Sequence, residues 1–316
     1  MQDVGAEFIA LRVETRAHNG EEMISSRTLL APAKINLTLE ILRKREDGYH
    51  GLRSVMVPVG LYDEIDIAPH ESGLSFYCDQ PEISSSDNLV LRAFHILKAA
   101  HPRVRIELRK QIPVQAGLGG GSSDAATILL AAMDGAFGVP EKHDWLALAR
   151  SLGSDVPFFL ARTGALVEAT GERMTPVGTL PHWWCVIVKP SVAVSTAQAF
   201  AWIDERDRPA TSRSSSVSLR MNEALQRAHF EEVLALLQND FHDVLVARFP
   251  EIAATIAALQ RAGAQRPMLS GSGSACFALA KNEGEARRIA DALHVADIGA
   301  VFVAPFVYGR SWKGAQ

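Results

Sequence analysis

Residues 113–133 read Pro113-Val-Gln-Ala-Gly-Leu-Gly-Gly-Gly-Ser-Ser-Asp-Ala-Ala-Thr-Ile-Leu-Leu-Ala-Ala-Met133. Four glycines, Gly117, Gly119, Gly120 and Gly121, let backbone N–H groups approach a ligand and turn inward at positive φ. The apolar run that follows reads as a helix, with Ser122, Ser123 and Asp124 as capping candidates. A helix start carries free N–H donors and partial positive charge, so it attracts anions. The stretch therefore suits a phosphate cradle. No Gly-Lys-Ser/Thr closes it, so it is not a nucleotide P-loop. No Gly-x-Gly-x-x-Gly follows a strand in a parallel βαβ unit, so it is not the dinucleotide fingerprint. On these residues alone, a cradle and a flexible loop ahead of a core helix are equal readings.

Upstream, residues 34–41 alternate strictly. Ile35, Leu37, Leu39 and Ile41 share one face; Lys34, Asn36, Thr38 and Glu40 share the other. Period two predicts a half-buried strand with Lys34 and Asn36 projecting together. Residues 43–51 read as a turn or loop, 55–67 as strand, and 89–100 as an amphipathic helix capped by Asp87 or Asn88 and ended by His101-Pro102. Val104, Ile106 and Leu108 form a strand leading into the glycine loop. A helix is expected over 144–152, closed by Gly153, with Asp155 near a helix boundary. Strands follow at 164–169 and 183–189, and an exposed loop at 205–216. Helices are expected at 217–228, 230–247 and 252–262, the last capped by Gly263. Residues 268–279 read as strand, glycine turn, strand. A helix near 283–293 and a strand near 300–304 close the chain. Strands and helices mix without a βαβ rhythm or an internal repeat, which favours α+β.

At 316 residues the chain suits two domains, and 47% hydrophobic with 22% charged residues is the balance of a globular enzyme. A net charge of −4 and a pI near 6.2 argue against a nucleic-acid partner. Cys78, Cys185 and Cys276 lie far apart without metal-ligand spacing, which points to a reducing compartment, the cytoplasm. No apolar stretch is long enough to span a bilayer. Residues 1–30 lack a signal-peptide pattern and are expected to be a loosely ordered extension, with Met1 or Met23 as the start. No feature of the sequence specifies an oligomeric state.

Five segments in order carry a resemblance: Ala31-Pro-Ala-Lys-Ile-Asn-Leu37, Asp47-Gly-Tyr-His50, Pro113 to Ser123, Leu152-Gly-Ser-Asp-Val-Pro157 and Leu269-Ser-Gly-Ser-Gly273. Together they resemble the GHMP kinase superfamily, which includes galactokinase, homoserine kinase and mevalonate kinase. Gln115 and Ala116 depart from the loop pattern, where many relatives carry small residues or glycine. The resemblance implies a two-domain α+β chain. An ATP-binding amino-terminal domain over 31–180, like a ribosomal-protein domain, would join a ferredoxin-like carboxy-terminal domain over 181–316, with the active site between them. The implied reaction moves the γ-phosphoryl of ATP to the C2 hydroxyl of a cytidine-diphosphate-linked methylerythritol, a step of non-mevalonate isoprenoid biosynthesis. The alternative is another small-molecule kinase of the superfamily acting on homoserine or a mevalonate derivative; the Asp47-Gly-Tyr-His50 segment argues against it.

The same resemblance implies residue roles. Asp155 would take the hydroxyl proton and Lys34 would keep it ionised and counter the transferring charge. Pro113, Val114, Gln115, Ala116, Gly117, Leu118, Gly119, Gly120, Gly121, Ser122 and Ser123 would hold ATP, with Asn88 and Lys110 in the adenine pocket. Asn36, Tyr49, His50, Thr196 and Phe200 would meet the second substrate, Tyr49 stacking on the pyrimidine and His50 bonding its edge. The turn Ser270 to Ser274 would lie near the phosphates. Each role has a plain alternative: a solvated lysine for Lys34, a helix cap for Asp155, a loop for Tyr49 and His50, a core position for Phe200, a hairpin for the turn. Mg²⁺ is expected with ATP, and no residue spacing defines a metal ligand. A non-catalytic sensor on this scaffold would be expected to lose the Lys34 and Asp155 pair, which is present.

Overall fold

The alternating run around Lys34 is the middle of a long strand, β1 (Arg27–Lys44), in the computed structural model, which describes residues 26–44, 50–98, 103–139, 143–169, 171, 173–205, 216–293 and 298–309. β1 pairs antiparallel with β2 (His50–Pro69) along its length, with register shifts at Pro32/Ala33 and Asn36/Thr38 that re-aim side chains near Lys34. Then come β3 (Leu74–Cys78), α1 (Leu89–Ile96), β4 (Val104–Arg109), α2 (Gly120–Met133), α3 (Trp145–Leu152) and α4 (Val156–Leu160). β5 (Ala165–Ala169) and β6 (Arg173–Pro176) complete the first half. The second half holds β7 (Trp184–Lys189), α5 (Thr196–Asp204), α6 (Val217–Gln226), α7 (Phe230–Leu236), β8 (Gln238–Asn239), α8 (His242–Arg248) and α9 (Pro250–Arg261). It ends with β9 (Met268–Leu269), β10 (Cys276–Ala280), α10 (Glu283–Leu293) and β11 (Ala300–Pro305).

Two sheets organise the molecule, and the α+β expectation holds. A mixed seven-stranded sheet follows the path β3-β4-β2-β1-β8, with β5 and β6 branching from β2. A four-stranded antiparallel sheet runs β11-β7-β10-β9, the split βαβ order of ferredoxin-like domains. One core cluster packs α1 to α4 on the first sheet; a second packs the four-stranded sheet against α5, α8, α9 and α10. A third lies between the halves, joining Ile35 and Val57 to Cys185, Phe277 and Phe306. The halves thus share a core, and β8 crosses to pair with β1. Among the described residues, no helix is long and apolar enough to cross a membrane.

Several sequence expectations need correction. The strand around Lys34 is buried on both faces, not one. Lys34, Asn36, Thr38 and Glu40 are all buried: α6 supplies Ser218 and its N-cap Ser216 to Thr38 and Glu40, while Lys34 bonds Asn36 and Asn36 bonds Ser54. α2 starts at Gly120, with Gly119 as N-cap at φ +72°, so Ser122, Ser123 and Asp124 lie inside the helix and cap nothing. α1 ends at Ile96, short of the expected residue 100. The single helix expected over 230–247 is broken by β8, since pairing with β1 wins over helical periodicity there. Arg27 to Leu30, expected to be loose, are strand, and so are the ends of the expected 43–51 loop.

Candidate active site

β1 delivers Lys34 and Asn36 to the same side, as period two requires. The Lys34 ammonium donates to Asn36 Oδ1 at 2.5 Å and lies 3.7 Å from Asp155 Oδ2. Asn36 Nδ2 in turn donates to Ser54 Oγ at 2.8 Å, and Ser54 donates to the Thr38 carbonyl. Burial lowers the Lys34 pKa below the usual lysine value, and the charge of the nearby Asp155 carboxylate pulls it part of the way back. Asp155 occupies the N-cap position of α4 but makes no capping hydrogen bond, and its side chain is 36% exposed. The carboxylate is therefore accessible beside a buried ammonium.

The glycine loop joins this pair from above. The Lys34 N–H donates to the Leu118 carbonyl at 2.9 Å, which ties the loop to β1. Gln115, one of the two departures from the family pattern, sits at φ +51°, the region glycine favours. Gly117, at φ +73°, has no room for a side chain: a Cβ would come 2.1 Å from the Ser270 carbonyl oxygen. Beneath Gly120, Lys110 bridges Asp63 and Asp124, at 2.6 Å from Asp124 Oδ2. Burial pushes Asp124 up to about 8, against the pull of Lys110. Lys110 would itself be lowered by burial, but Asp124 and Asp63 outweigh that and raise it.

A cavity of about 450 Å³ is lined by residues 113–122 together with Asn88, Lys110 and Asp124. Two expected adenine-pocket groups are already engaged. The Lys110 ammonium is held by its two carboxylates, and the Asn88 amide accepts from Val90 N–H and donates to the Ile83 carbonyl. Both shape the wall rather than reach into the space. Ser123 is fully buried and lines neither this cavity nor the main cleft.

The main cleft, about 1460 Å³, contains Lys34, Asn36, His50, Asp155, Thr196 and Phe200; Gln115, Gly117 and Gly119 face both spaces. His50 stacks on Phe200 at 5.4 Å between ring centroids and 11° between planes. Thr196 Oγ1 and Ser272 Oγ lie 2.8 Å apart, so α5 touches the second glycine turn. Tyr49 lies outside the described residues.

Sequence reading missed Asp204, which accepts from His50 Nε2 at 2.8 Å and from Lys44 at 2.9 Å. The hydrogen bond from Lys44 holds its carboxyl below the usual range, with burial opposing and His50 assisting. A signal existed: Thr196, Phe200 and Asp204 recur every four residues, one face of a helix. Asp63, Asp124, Ser54 and Asn239 were missed as well; their partners are distant in sequence.

Family models for the GHMP kinases N terminal domain and the GHMP kinases C terminal region match residues 88–162 and 221–296. A 4-diphosphocytidyl-2-C-methyl-D-erythritol kinase of Citrifermentans bemidjiense is 40% identical over 268 residues, covering 83% of this chain and 92% of the relative. One from Deinococcus radiodurans is 40% identical over 269 residues, 83% of this chain and 87% of its own length. A crystal structure of a 4-(cytidine 5'-diphospho)-2C-methyl-D-erythritol kinase superposes with TM-score 0.73 at 36% identity, over 90% of this chain and 100% of that one. A homoserine kinase of Cytophaga hutchinsonii, at 19% identity and TM-score 0.66 over 91% of this chain and 97% of that one, shares the fold.

Proposed function

This chain belongs to the GHMP kinases, in the 4-diphosphocytidyl-2-C-methyl-D-erythritol kinase branch, and from that membership we propose that its cleft carries the γ-phosphoryl of ATP to the C2 hydroxyl of 4-diphosphocytidyl-2-C-methyl-D-erythritol. The observation that carries this reading is the Lys34–Asp155 pair, at 3.7 Å, standing where the glycine-loop cavity meets the wider cleft. Phosphoryl transfer needs positioning and charge stabilisation more than covalent help from the protein.

In this scheme the C2 oxygen attacks the γ-phosphorus. The new O–P bond forms as the bond to the β-phosphate bridging oxygen breaks, and ADP leaves with that electron pair. Asp155 accepts the hydroxyl proton. Lys34, whose ammonium is buried beside Asp155, stabilises the charge spreading over the transferring phosphoryl. The N–H groups opening α2 and the glycine loop hold the β- and γ-phosphates. His50 and Phe200, with Tyr49, take the cytosine end, and Asn36 and Thr196 the methylerythritol.

Mg²⁺ fits as an ion carried on the phosphates. Among the described residues no group of three His, Cys, Asp or Glu side chains could cage a metal, and Mg²⁺ keeps waters and phosphate ligands in such sites. Asp155 is the carboxylate beside Lys34 that would meet it, and the ion would supply charge neutralisation there. The three cysteines are free and buried, which supports a reducing compartment and cytoplasmic residence.

The test is ADP release with the cytidine-linked substrate, set beside homoserine and mevalonate. Turnover confined to the cytidine-linked compound is expected. Preference for homoserine or mevalonate would place the chain with another branch despite its relatives.

A further inference from the structure

Asn239 makes three hydrogen bonds from a buried position on β8. Its Nδ2 donates to the carbonyls of Leu269 and Gly271, at 2.8 Å each, and its Oδ1 accepts the Phe241 N–H at 2.9 Å. Three partners of defined polarity fix which end of the amide is nitrogen. β8 pairs with β1 at Leu39–Asn239, so the side chain anchoring the second glycine turn hangs from the strand that carries Lys34.

The turn itself is closed by Gly273 N–H to the Ser270 carbonyl, at 3.0 Å. Among the described residues the N–H groups of Gly271 and Ser272 have no acceptor, and both residues line the cleft. A Cβ on Gly271 would lie 3.0 Å from the Gly117 carbonyl oxygen and 3.3 Å from the Lys34 ammonium. The turn thus packs directly between the glycine loop and the catalytic lysine.

A trans peptide is planar, with its C=O and N–H pointing in opposite directions. Holding the Gly271 carbonyl on Asn239 therefore aims the Ser272 N–H to the opposite side, away from β8. We propose that Asn239 is a positioning residue for phosphoryl transfer: it fixes the Gly271–Ser272 peptide so that the Ser272 N–H is presented to the cleft beside Lys34, as a donor for the transferring phosphoryl. Aspartate cannot replace it, because a carboxylate would set an oxygen against two carbonyl oxygens and favour a flipped peptide. The inference rests on the proposed kinase reading.

The experiment compares Asn239→Asp and Asn239→Ala with Gln238→Ala, a neighbour on the same short strand whose amide donates to Asp240. Wild-type ADP release with the cytidine-linked substrate is measured first; its absence would sink the kinase reading and this inference with it, whereas the Asn239 variants test the inference alone. All proteins are then assayed well below their melting temperatures. We expect kcat to fall by about 10-fold to 100-fold in both Asn239 variants, the scale of a displaced catalytic donor, more in Asn239→Asp. KM for the cytidine-linked substrate should stay within about twofold. Gln238→Ala should keep wild-type kcat. A purely structural role would lower melting temperature and leave kcat per folded molecule intact. That result, an equal kcat loss in Gln238→Ala, or failure of both Asn239 variants to fold, would overturn the proposal.

Discussion

An aspartate that begins a helix ordinarily spends its carboxylate on the first free N–H groups. Asp155 begins α4 and does not, which leaves its carboxylate facing Lys34 and the cleft. Asp155→Asn keeps the shape and removes the base, so kcat should drop by about 10²-fold or more while ATP affinity by calorimetry barely changes. A near-native kcat in the folded variant would reduce Asp155 to a helix start. Its partner makes a prediction about stability. Burial lowers the Lys34 pKa, so the folded chain sheds this proton at a lower pH than the unfolded chain, whose lysines titrate near 10.5. Between those two values the unfolded state binds more protons, and stability gains with rising pH. Lys34→Met removes that gain along with activity. The melting temperature of the wild type minus that of Lys34→Met should climb as pH rises towards 10.5. A flat difference would mean that the buried ammonium is compensated in full.

Elements turn these residues into a site, and the glycine loop shows how selectively. Gly117 and Gly121 look alike in the sequence and differ in space. Gly117→Ala would force a Cβ into the Ser270 carbonyl and strain a positive φ, so it should destabilise the fold by at least about 1–2 kcal/mol and loosen ATP binding. Gly121 lies in the first turn of α2, where the nearest atom to a Cβ is Leu89 Cδ1 at 3.6 Å. Gly121→Ala should hold or raise the melting temperature, by up to about 1 kcal/mol of helix preference. Equal melting losses in the two variants would show that the contact with Ser270 constrains nothing. Under the same loop, Asp124 is raised from 3.8 to about 8 by burial, so its contribution to stability is complete below pH 3.8 and lost as pH rises towards 8. Asp124→Asn resembles the protonated form, and its melting temperature relative to wild type should improve between pH 5 and pH 9; no change with pH would refute the shift. At this scale the sequence was legible where the signal was local. Period two placed Lys34 and Asn36 together, the glycine run marked the loop, and Asn88 does cap α1. It misled where a distant segment decided the outcome. The polar face of β1 looked solvated because Ser216 and Ser218, which bond Glu40 and Thr38, come from the other half of the chain. The start of α2 was misplaced because a left-handed glycine, not a serine hydroxyl, begins it.

Across the whole molecule, the cleft exists because the two halves meet along one core and leave their rims apart. Lys34, Asn36 and Asp155 come from the first half; Thr196, Phe200 and the Ser270–Ser274 turn come from the second. Asp204 ties the rims. From the end of α5 it holds Lys44 at the end of β1 and His50 at the start of β2, while Phe200, one helical turn back, stacks on the same His50 ring. His50 is thus oriented by a carboxylate on its edge and a ring on its face, both from the opposite half. If His50 reads the cytosine, removing Asp204 should unfix that ring without touching the glycine-loop cavity, which neither residue lines. Asp204→Ala should therefore raise KM for the cytidine-linked substrate by about tenfold, the effect of one charged hydrogen bond at about 1.4 kcal/mol per decade. KM for ATP should stay put, and kcat at saturating substrate should change little, because Lys34 and Asp155 are held from elsewhere. Lys44→Ala gives the comparison. It removes Asp204's exposed partner and leaves the His50 contact, so its effect should be smaller and should fade in high salt. A rise in KM for ATP with none for the cytidine substrate would reverse the assignment of the two spaces. Unchanged constants in Asp204→Ala would make the link between the rims structural, and leave His50 oriented by Phe200 alone.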